Sequence, residues 1–279
     1  MAIGWYPGHM NKARKDIMKA LKQVDLVVEI LDARLPASST NPLLDSLIGE
    51  LPRLEVLNKS DLADPSVTAS WIAHFNQQGQ AAITQGKDDD FTAEQILQAS
   101  KQPYRPDRNK IFRFMIVGIP NVGKSTLMNK LLKRKLAKVG NEPAVTKAPQ
   151  ESSLAEGIKL IDTPGVLWPK IEDQEAAYRL AASGAIRNTA IEFEDIALFT
   201  LSFMKTAYPE NLLSRYRLTE LAAEPIELLE QIAEKRGALR KGGVDYHKAS
   251  EIVLNDFRNG ALGLLSMEKP PLTFDPEIG

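Results

Sequence analysis

The chain has 279 residues, no cysteine, 43% apolar residues, and 35 Lys and Arg against 36 Asp and Glu. This composition excludes disulfides, thiolate catalysis and Cys-based zinc sites, and it is foreign to disordered, collagen-like and coiled-coil chains. No apolar run approaches the roughly 18 residues that span a bilayer; the longest, Ile196 to Met204, is interrupted by Thr200 and Ser202. The N-terminus has no apolar stretch of the secretory kind, so a cytoplasmic protein without a membrane partner is expected.

The near-zero charge hides an asymmetry. Residues 1–170 hold 23 Lys or Arg and 18 Asp or Glu, a balance of +5, whereas residues 171–279 hold 12 and 18, a balance of −6. The total excludes indiscriminate polyanion binding but not a local contact.

In chain order, a basic helix is expected over about Lys12 to Gln23, then an apolar strand from Val24 to Leu31 of the kind buried on both faces of a parallel sheet. Asn41-Pro42 opens a short helix. A strand at Arg53 to Leu57, a helix at Pro65 to Phe75, a strand at Ala81 to Thr84 and a helix at Thr92 to Ala99 follow, then a Pro-containing linker at Gln102 to Lys110. Ile111 to Val117 is the next strand, Lys124 to Leu132 the next helix and Gly157 to Ile161 the last strand. Beyond Gly165 helical spacing dominates: Pro225 opens one helix that Gly237 ends, and Ala249, Ile252, Val253 and Phe257 share one face of another, ended by Gly260. The last residues, with Pro270, Pro271 and Pro276, read as a tail. The alternation predicts an α/β fold with a doubly wound sheet, followed by an all-helical part.

Gly118-Ile119-Pro120-Asn121-Val122-Gly123-Lys124-Ser125 is a G-x-x-x-x-G-K-S loop between an expected strand and helix. Backbone N–H groups of such a loop wrap phosphates, Lys124 neutralises the β and γ phosphates, and the Ser125 hydroxyl binds Mg²⁺. Asn121, Val122, Gly123, Lys124, Ser125 and Thr126 are therefore candidate nucleotide-binding residues. Asp162, at the end of an apolar strand in Asp162-Thr163-Pro164-Gly165, is a second Mg²⁺ candidate, and the Gly165 N–H can reach a γ-phosphate. Thr146 in the polar stretch between them can complete the metal shell when that phosphate is present.

Asn58-Lys59-Ser60-Asp61 follows a strand and suits guanine. The Asp61 carboxylate accepts from N1–H and N2–H₂, Asn58 reaches the opposite edge, and the Lys59 stem lies over the ring. In Ras-like GTPases this motif follows the phosphate loop; here it precedes it. Circular permutation accounts for the order, because rejoining nearby termini preserves the sheet. An ATP-binding loop with a coincidental Asn-Lys-Ser-Asp is the rival reading.

Trp5-Tyr6-Pro7-Gly8-His9-Met10, Asp32-Ala33-Arg34-Leu35-Pro36, the Asn58 to Asp61 motif, the Gly118 to Ser125 loop, and Asp162 to Gly165 with Leu167-Trp168-Pro169-Lys170 resemble the circularly permuted GTPases of the YlqF type over nearly the whole chain. The resemblance implies a permuted Ras-like P-loop GTPase domain over 1–170 and a helical RNA-binding domain over 171–279. It further implies slow, particle-stimulated GTP hydrolysis in late maturation of the large (50S) ribosomal subunit. Partners would be GTP or GDP and the large-subunit precursor with its rRNA, engaged by a monomer. This chain departs from the family pattern at Pro143-Ala144-Val145-Thr146 and at Thr84-Gln85, where the last base-contact motif falls.

Val166 occupies the position where many GTPases orient water with Gln. The resemblance makes His9 the replacement, alongside Lys124, as a catalytic residue; without it, His9 reads more readily as a structural histidine at a turn before a helix. Related GTPases hold K⁺ with Asn at the position of Asn121. Lys235, Arg236, Arg240 and Lys241, set among glycines, are the candidate RNA contacts, against the alternative of a solvated loop. Further basic sets lie at Lys12 to Lys22 and Lys133 to Lys138. Two other functions fit the same motifs: a nucleotide-stabilised RNA scaffold, and a GTPase regulating translation or RNA modification.

Overall fold

The structure, a computed structural model, describes residues 3–4, 9–101, 111–132, 150–163, 170–171, 173–186 and 192–271; side chains are described from residue 15 onward, except at 150 and 170. A two-residue strand, β1 (Ile3–Gly4), precedes helix α1 (His9–Leu21). The chain continues through β2 (Leu26–Asp32), α2 (Pro36–Ser39), α3 (Pro42–Ile48), β3 (Arg53–Asn58), α4 (Pro65–Gln77), β4 (Ala81–Gln85), α5 (Ala93–Ala99), β5 (Phe112–Gly118), α6 (Lys124–Leu131), β6 (Gln150–Ala155) and β7 (Ile158–Asp162). β8 (Lys170–Ile171) returns to pair antiparallel with β1. Helices α7 (Gln174–Ser183), α8 (Phe193–Ala207), α9 (Pro209–Tyr216) and α10 (Pro225–Arg236) follow. A short hairpin, β9 (Leu239–Arg240) and β10 (Gly243–Val244), leads into α11 (Tyr246–Asn259).

Six strands form one sheet in the order β4-β3-β2-β5-β7-β6, parallel except for β6 at one edge. Every residue of β2 is buried, as expected of a strand with both faces covered. The chain builds β2 to β4 on one side of β5 and only afterwards β5 to β7. A chain beginning at β5 and returning through β2, β3 and β4 would make the same sheet, which is the imprint of permutation. The carboxyl ends of β3, β5 and β7 carry Asn58, Gly118 and Asp162, so three motifs far apart in sequence share one sheet edge.

Local signals set the helix starts. The Asn41 side chain accepts from Leu43 N at 3.0 Å, and Asp64 accepts from Ser66 N at 2.9 Å; each such cap is worth about 1 kcal/mol. Thr92 and Gln95 close a capping box on α5. α8 buries Ile196, Ala197, Leu201 and Met204 against α11, which returns Ala249, Val253, Leu254 and Phe257. The apolar run expected to be too short for a bilayer is therefore a core helix, and no described helix is long and apolar enough to cross a membrane.

The structure differs from the sequence expectation in several places. α1 begins at His9, three residues before Lys12, and ends at Leu21. β1, β6 and β8 were not expected: two are only two residues long, and β6 (Gln-Glu-Ser-Ser-Leu-Ala) is a polar edge strand without alternation. The chain leading into the expected tail is packed, with Leu262, Leu265, Ser266, Met267 and Glu268 buried. Glu29, inside the apolar run of β2, lies directly opposite Glu55 of β3, and Arg53 bridges both. The expected linker at 102–110 lies outside the described residues.

Candidate nucleotide site

The phosphate loop joins β5 to α6. Gly118 has φ +144°, and a Cβ there would lie 2.6 Å from the Ile30 carbonyl oxygen, so only glycine lets β2 and the loop approach this closely. Gly123, at φ +105°, is the residue before α6, and a side chain there would collide with the Asn58 amide. Asn121 is also left-handed, at φ 57°. Ser125 is half-buried in the first turn of α6 and Thr126 is exposed.

Lys124 is buried and donates to Gly118 O at 3.0 Å and Ile119 O at 2.6 Å. Burial pushes its pKa down to about 8, and the Asp162 carboxylate offsets this only in part. Asp162 is buried at the end of β7, and the next residue, Thr163, donates its Oγ1 hydroxyl to Ile116 O at 2.7 Å. Lys124 and Asp162 thus lie close enough to interact, and Ser125 is the next residue in the first turn of α6. A half-buried hydroxyl and a buried carboxylate beside a phosphate loop are hard oxygen donors, which suits Mg²⁺ with its remaining shell drawn from phosphate and water. Among the described residues no three His, Cys, Asp or Glu side chains converge on one point, so no self-sufficient metal cage competes with that arrangement.

The Asn58 to Asp61 loop touches the phosphate loop directly: Asn58 Nδ2 donates to Val122 O at 2.7 Å. Lys59 takes the left-handed φ of 61°, and its ammonium reaches Asp32 Oδ2 at 2.8 Å. The Asp61 side chain is exposed and accepts from Lys87 N at 3.0 Å. Gln85 is buried, with its amide donating to Gly86 O at 2.9 Å and Asp89 O at 3.0 Å, so it shapes the loop after β4, while Thr84 is exposed. Lys130 of α6 clamps the same loop through Lys87 O at 2.6 Å and Asp89 O at 2.7 Å. Lys130 was not foreseen, because nothing in its local sequence marks a partner some forty residues upstream.

Asn121 Nδ2 donates to Gly184 O at 2.8 Å, at the end of α7. The side chain expected to hold K⁺ therefore also ties the phosphate loop to the helical part. His9 lies in the first turn of α1, with its side chain outside the described residues. Thr146, Gly165, Val166 and the basic set at 133–138 also lie outside them.

On the helical part, Lys235 and Arg236 end α10, and Arg240 and Lys241 sit on the β9–β10 hairpin, all exposed. A cleft of ≈ 460 Å³ brings Lys235 and Arg236 together with Arg215, Tyr216 and Arg217. Arg236 stacks 5.2 Å from the Tyr216 ring centroid and donates to Arg215 O at 2.9 Å. Asp256 accepts a two-point contact from Arg215 at 2.9 and 2.6 Å. The contributions of Arg215 and Arg217 were missed because they lie at the end of a different helix, in its last turn and just past it, about twenty residues upstream.

With a guanine loop that precedes the phosphate loop in the chain yet touches it in space, the molecule is a circularly permuted GTPase. Residues 113–236 match the family described as 50S ribosome-binding GTPase. Ribosome biogenesis GTPase A of Bacillus cereus is 45% identical over 97% of this chain and 95% of its own. Mitochondrial ribosome-associated GTPase 1 of Mus musculus is 33% identical over 95% of this chain and 90% of its own. The GNP-bound crystal structure of YlqF from T. maritima superposes with a TM-score of 0.68 at 32% identity, covering 93% of this chain and 99% of that one. The chain belongs to the ribosome biogenesis GTPase A, or YlqF, family and is a GTP-hydrolysing protein of ribosome biogenesis.

Proposed function

We propose that this GTPase acts in late maturation of the large ribosomal subunit in the cytoplasm, binding the precursor particle as a monomer with GTP and leaving on hydrolysis. The observation that carries this reading is the match of residues 113–236 to 50S ribosome-binding GTPases, together with ribosome-linked relatives along the whole chain. The half up to about residue 170 is the nucleotide domain and the remainder the RNA-facing domain. In the reaction, water attacks the γ-phosphorus, the bond to the β–γ bridging oxygen breaks, and GDP and phosphate leave. Lys124 and the loop amides hold the phosphates, and the Ser125 and Asp162 oxygens would hold Mg²⁺, which neutralises developing charge when bound. Asn121 would hold a K⁺ at the loop through its side-chain oxygen. Thr146 and Gly165 sense the γ-phosphate, and His9 orients the water in place of the absent Gln. On the RNA side, the Arg215, Arg217, Lys235 and Arg236 cleft suits a phosphodiester, with Arg240 and Lys241 extending it.

Sedimentation of the GTP-analogue-bound protein with large-subunit precursors tests the reading. Co-sedimentation with the analogue but not with GDP, and GTP turnover stimulated by the particle, are the expected results. Binding without stimulated turnover would support the scaffold reading instead, and no co-sedimentation would favour a role in translation or RNA modification.

A further inference from the structure

We infer that Asp32 and Arg34 are positioning residues for guanine recognition, relaying the seating of α11 to Lys59 and Asp61. The inference rests on the reading that the Asn58 to Asp61 loop contacts the base. Asp32 ends β2 directly beside Asn58 of β3, and Ala33 N donates to Asn58 O at 2.8 Å. The Asp32 carboxylate is shared. Oδ2 accepts from Lys59 Nζ at 2.8 Å and from an Arg34 terminal nitrogen at 2.8 Å, while Oδ1 accepts from Arg34 Nε at 2.9 Å. The remaining arm of Arg34 reaches across the fold to Phe257 O at 2.9 Å, near the end of α11, and its guanidinium lies 4.6 Å from the Phe257 ring centroid.

Arg34 is 1% exposed, so this charge stands in the core of the molecule with every part of its fork directed. Burial of a full guanidinium is costly, and a Lys59–Asp32 pair alone would anchor the lysine without it. What Arg34 adds is geometry. It fixes the plane of the carboxylate that holds Lys59, and it makes that plane depend on where the carbonyl of Phe257 lies. The segment after α11 is strapped to the same loop: Met267 N donates to Arg34 O at 2.7 Å, Leu265 N to Leu62 O at 3.1 Å, and Asp64 N to Ser266 Oγ at 3.2 Å. A shift of α11 therefore reaches both the lysine of the motif and the turn that carries Asp61. By linkage, nucleotide binding stabilises α11 as much as seated α11 strengthens binding.

The test compares GDP with IDP, which lacks the 2-amino group that Asp61 would accept, by calorimetric titration of the full chain. Arg34→Met keeps the packing and removes the fork; Phe257→Leu keeps an apolar side chain and removes the stacked ring. Both variants are expected to lower the GDP-to-IDP affinity ratio about fivefold, whereas a purely structural role would lower both affinities equally or neither. Hydrogen exchange at Met267 should slow on GDP binding in the wild type and not in Arg34→Met. An unchanged ratio in either folded variant, or exchange at Met267 indifferent to GDP in the wild type, overturns the relay. A wild type that does not prefer GDP over IDP overturns the base-contact reading itself.

Discussion

The Lys124 amine stands close to the boundary between its two charge states. It is buried against the Gly118 and Ile119 carbonyls, and burial, offset only in part by Asp162, lowers its pKa to about 8. An unfolded lysine titrates near ~10.4. Between those values the unfolded chain binds a proton that the folded chain does not, so the stability of the nucleotide-free protein rises with pH across that window. The penalty is full below about pH 8, is relieved by about pH 10, and amounts to about 3 kcal/mol at ~1.4 kcal/mol per pKa unit. Bound phosphate reverses the preference, because the ammonium then faces an anion. Nucleotide binding should accordingly take up a proton at alkaline pH, and GDP affinity should fall about sevenfold between about pH 7 and about pH 8.8. Titration calorimetry in two buffers of different ionisation enthalpy reads both the affinity and the proton count. Lys124→Gln binds more weakly but should lose the slope. A flat wild-type affinity, or a slope that survives in Lys124→Gln, refutes the assignment of the titration to this lysine.

Gly118→Ala should destabilise the fold by about 3 kcal/mol or more in denaturant unfolding, because a strained backbone and a collision with the rigid Ile30 carbonyl add. Glu55→Gln addresses the buried acid pair of the sheet. Burial and the facing Glu29 raise the Glu55 pKa well above the usual carboxylate range, with Arg53 opposing them. The folded chain thus holds a proton that the unfolded chain gives up, and wild-type stability falls as pH rises past the unfolded value of about 4.3 toward the folded one. The glutamine variant should match the wild type near about pH 4 and melt higher than it at about pH 8; equal melting temperatures at both would be evidence against the protonated acid.

The phosphate loop, the Asn58 to Asp61 turn and the strand-end Asp162 were legible in the sequence as turns at strand ends, because a few consecutive residues set the local backbone of each. Their meeting at one sheet edge could be inferred as well, since parallel strands that alternate with helices bring their carboxyl ends together. The helix starts at Asn41, Pro65, Thr92 and Pro225 were readable for the same reason, as a cap and its helix lie side by side in the chain. Arg34 shows where that legibility stops. Its motif was visible, but its partner is a main-chain carbonyl 223 residues away, and a carbonyl has no sequence signature. Lys130 and Arg217 were overlooked likewise, since their roles are defined by loops from other elements. Glu29 stands inside the strand read as apolar from Val24 to Leu31, with nothing in the local sequence to mark it as buried. Its burial is tolerable only because Arg53 of the neighbouring strand lies beside it, and that is a fact of register rather than of either strand alone.

The two ends of the nucleotide site are tied to the same place in the helical part. At the phosphate end Asn121 holds Gly184 O, just past the last turn of α7. At the base end Arg34 holds Phe257 O in the last turn of α11. Arg258, the next residue, donates to Ala181 O and Ala182 O at 2.9 Å each, which fastens the ends of α7 and α11 to one another. Neighbouring helix ends thus receive one contact from each loop, and both contacts end on backbone carbonyls that cannot rotate away independently. A displacement of α7 transmitted from the phosphates must therefore either carry α11 with it, disturbing the carboxylate that anchors Lys59, or break the Arg258 contacts. Permutation makes this geometry available. It places the strand-end motif of Asp162 immediately before the helical part in the chain, while the guanine loop, now upstream, is free to receive the returning segment from Leu262 to Glu268 on its outer side.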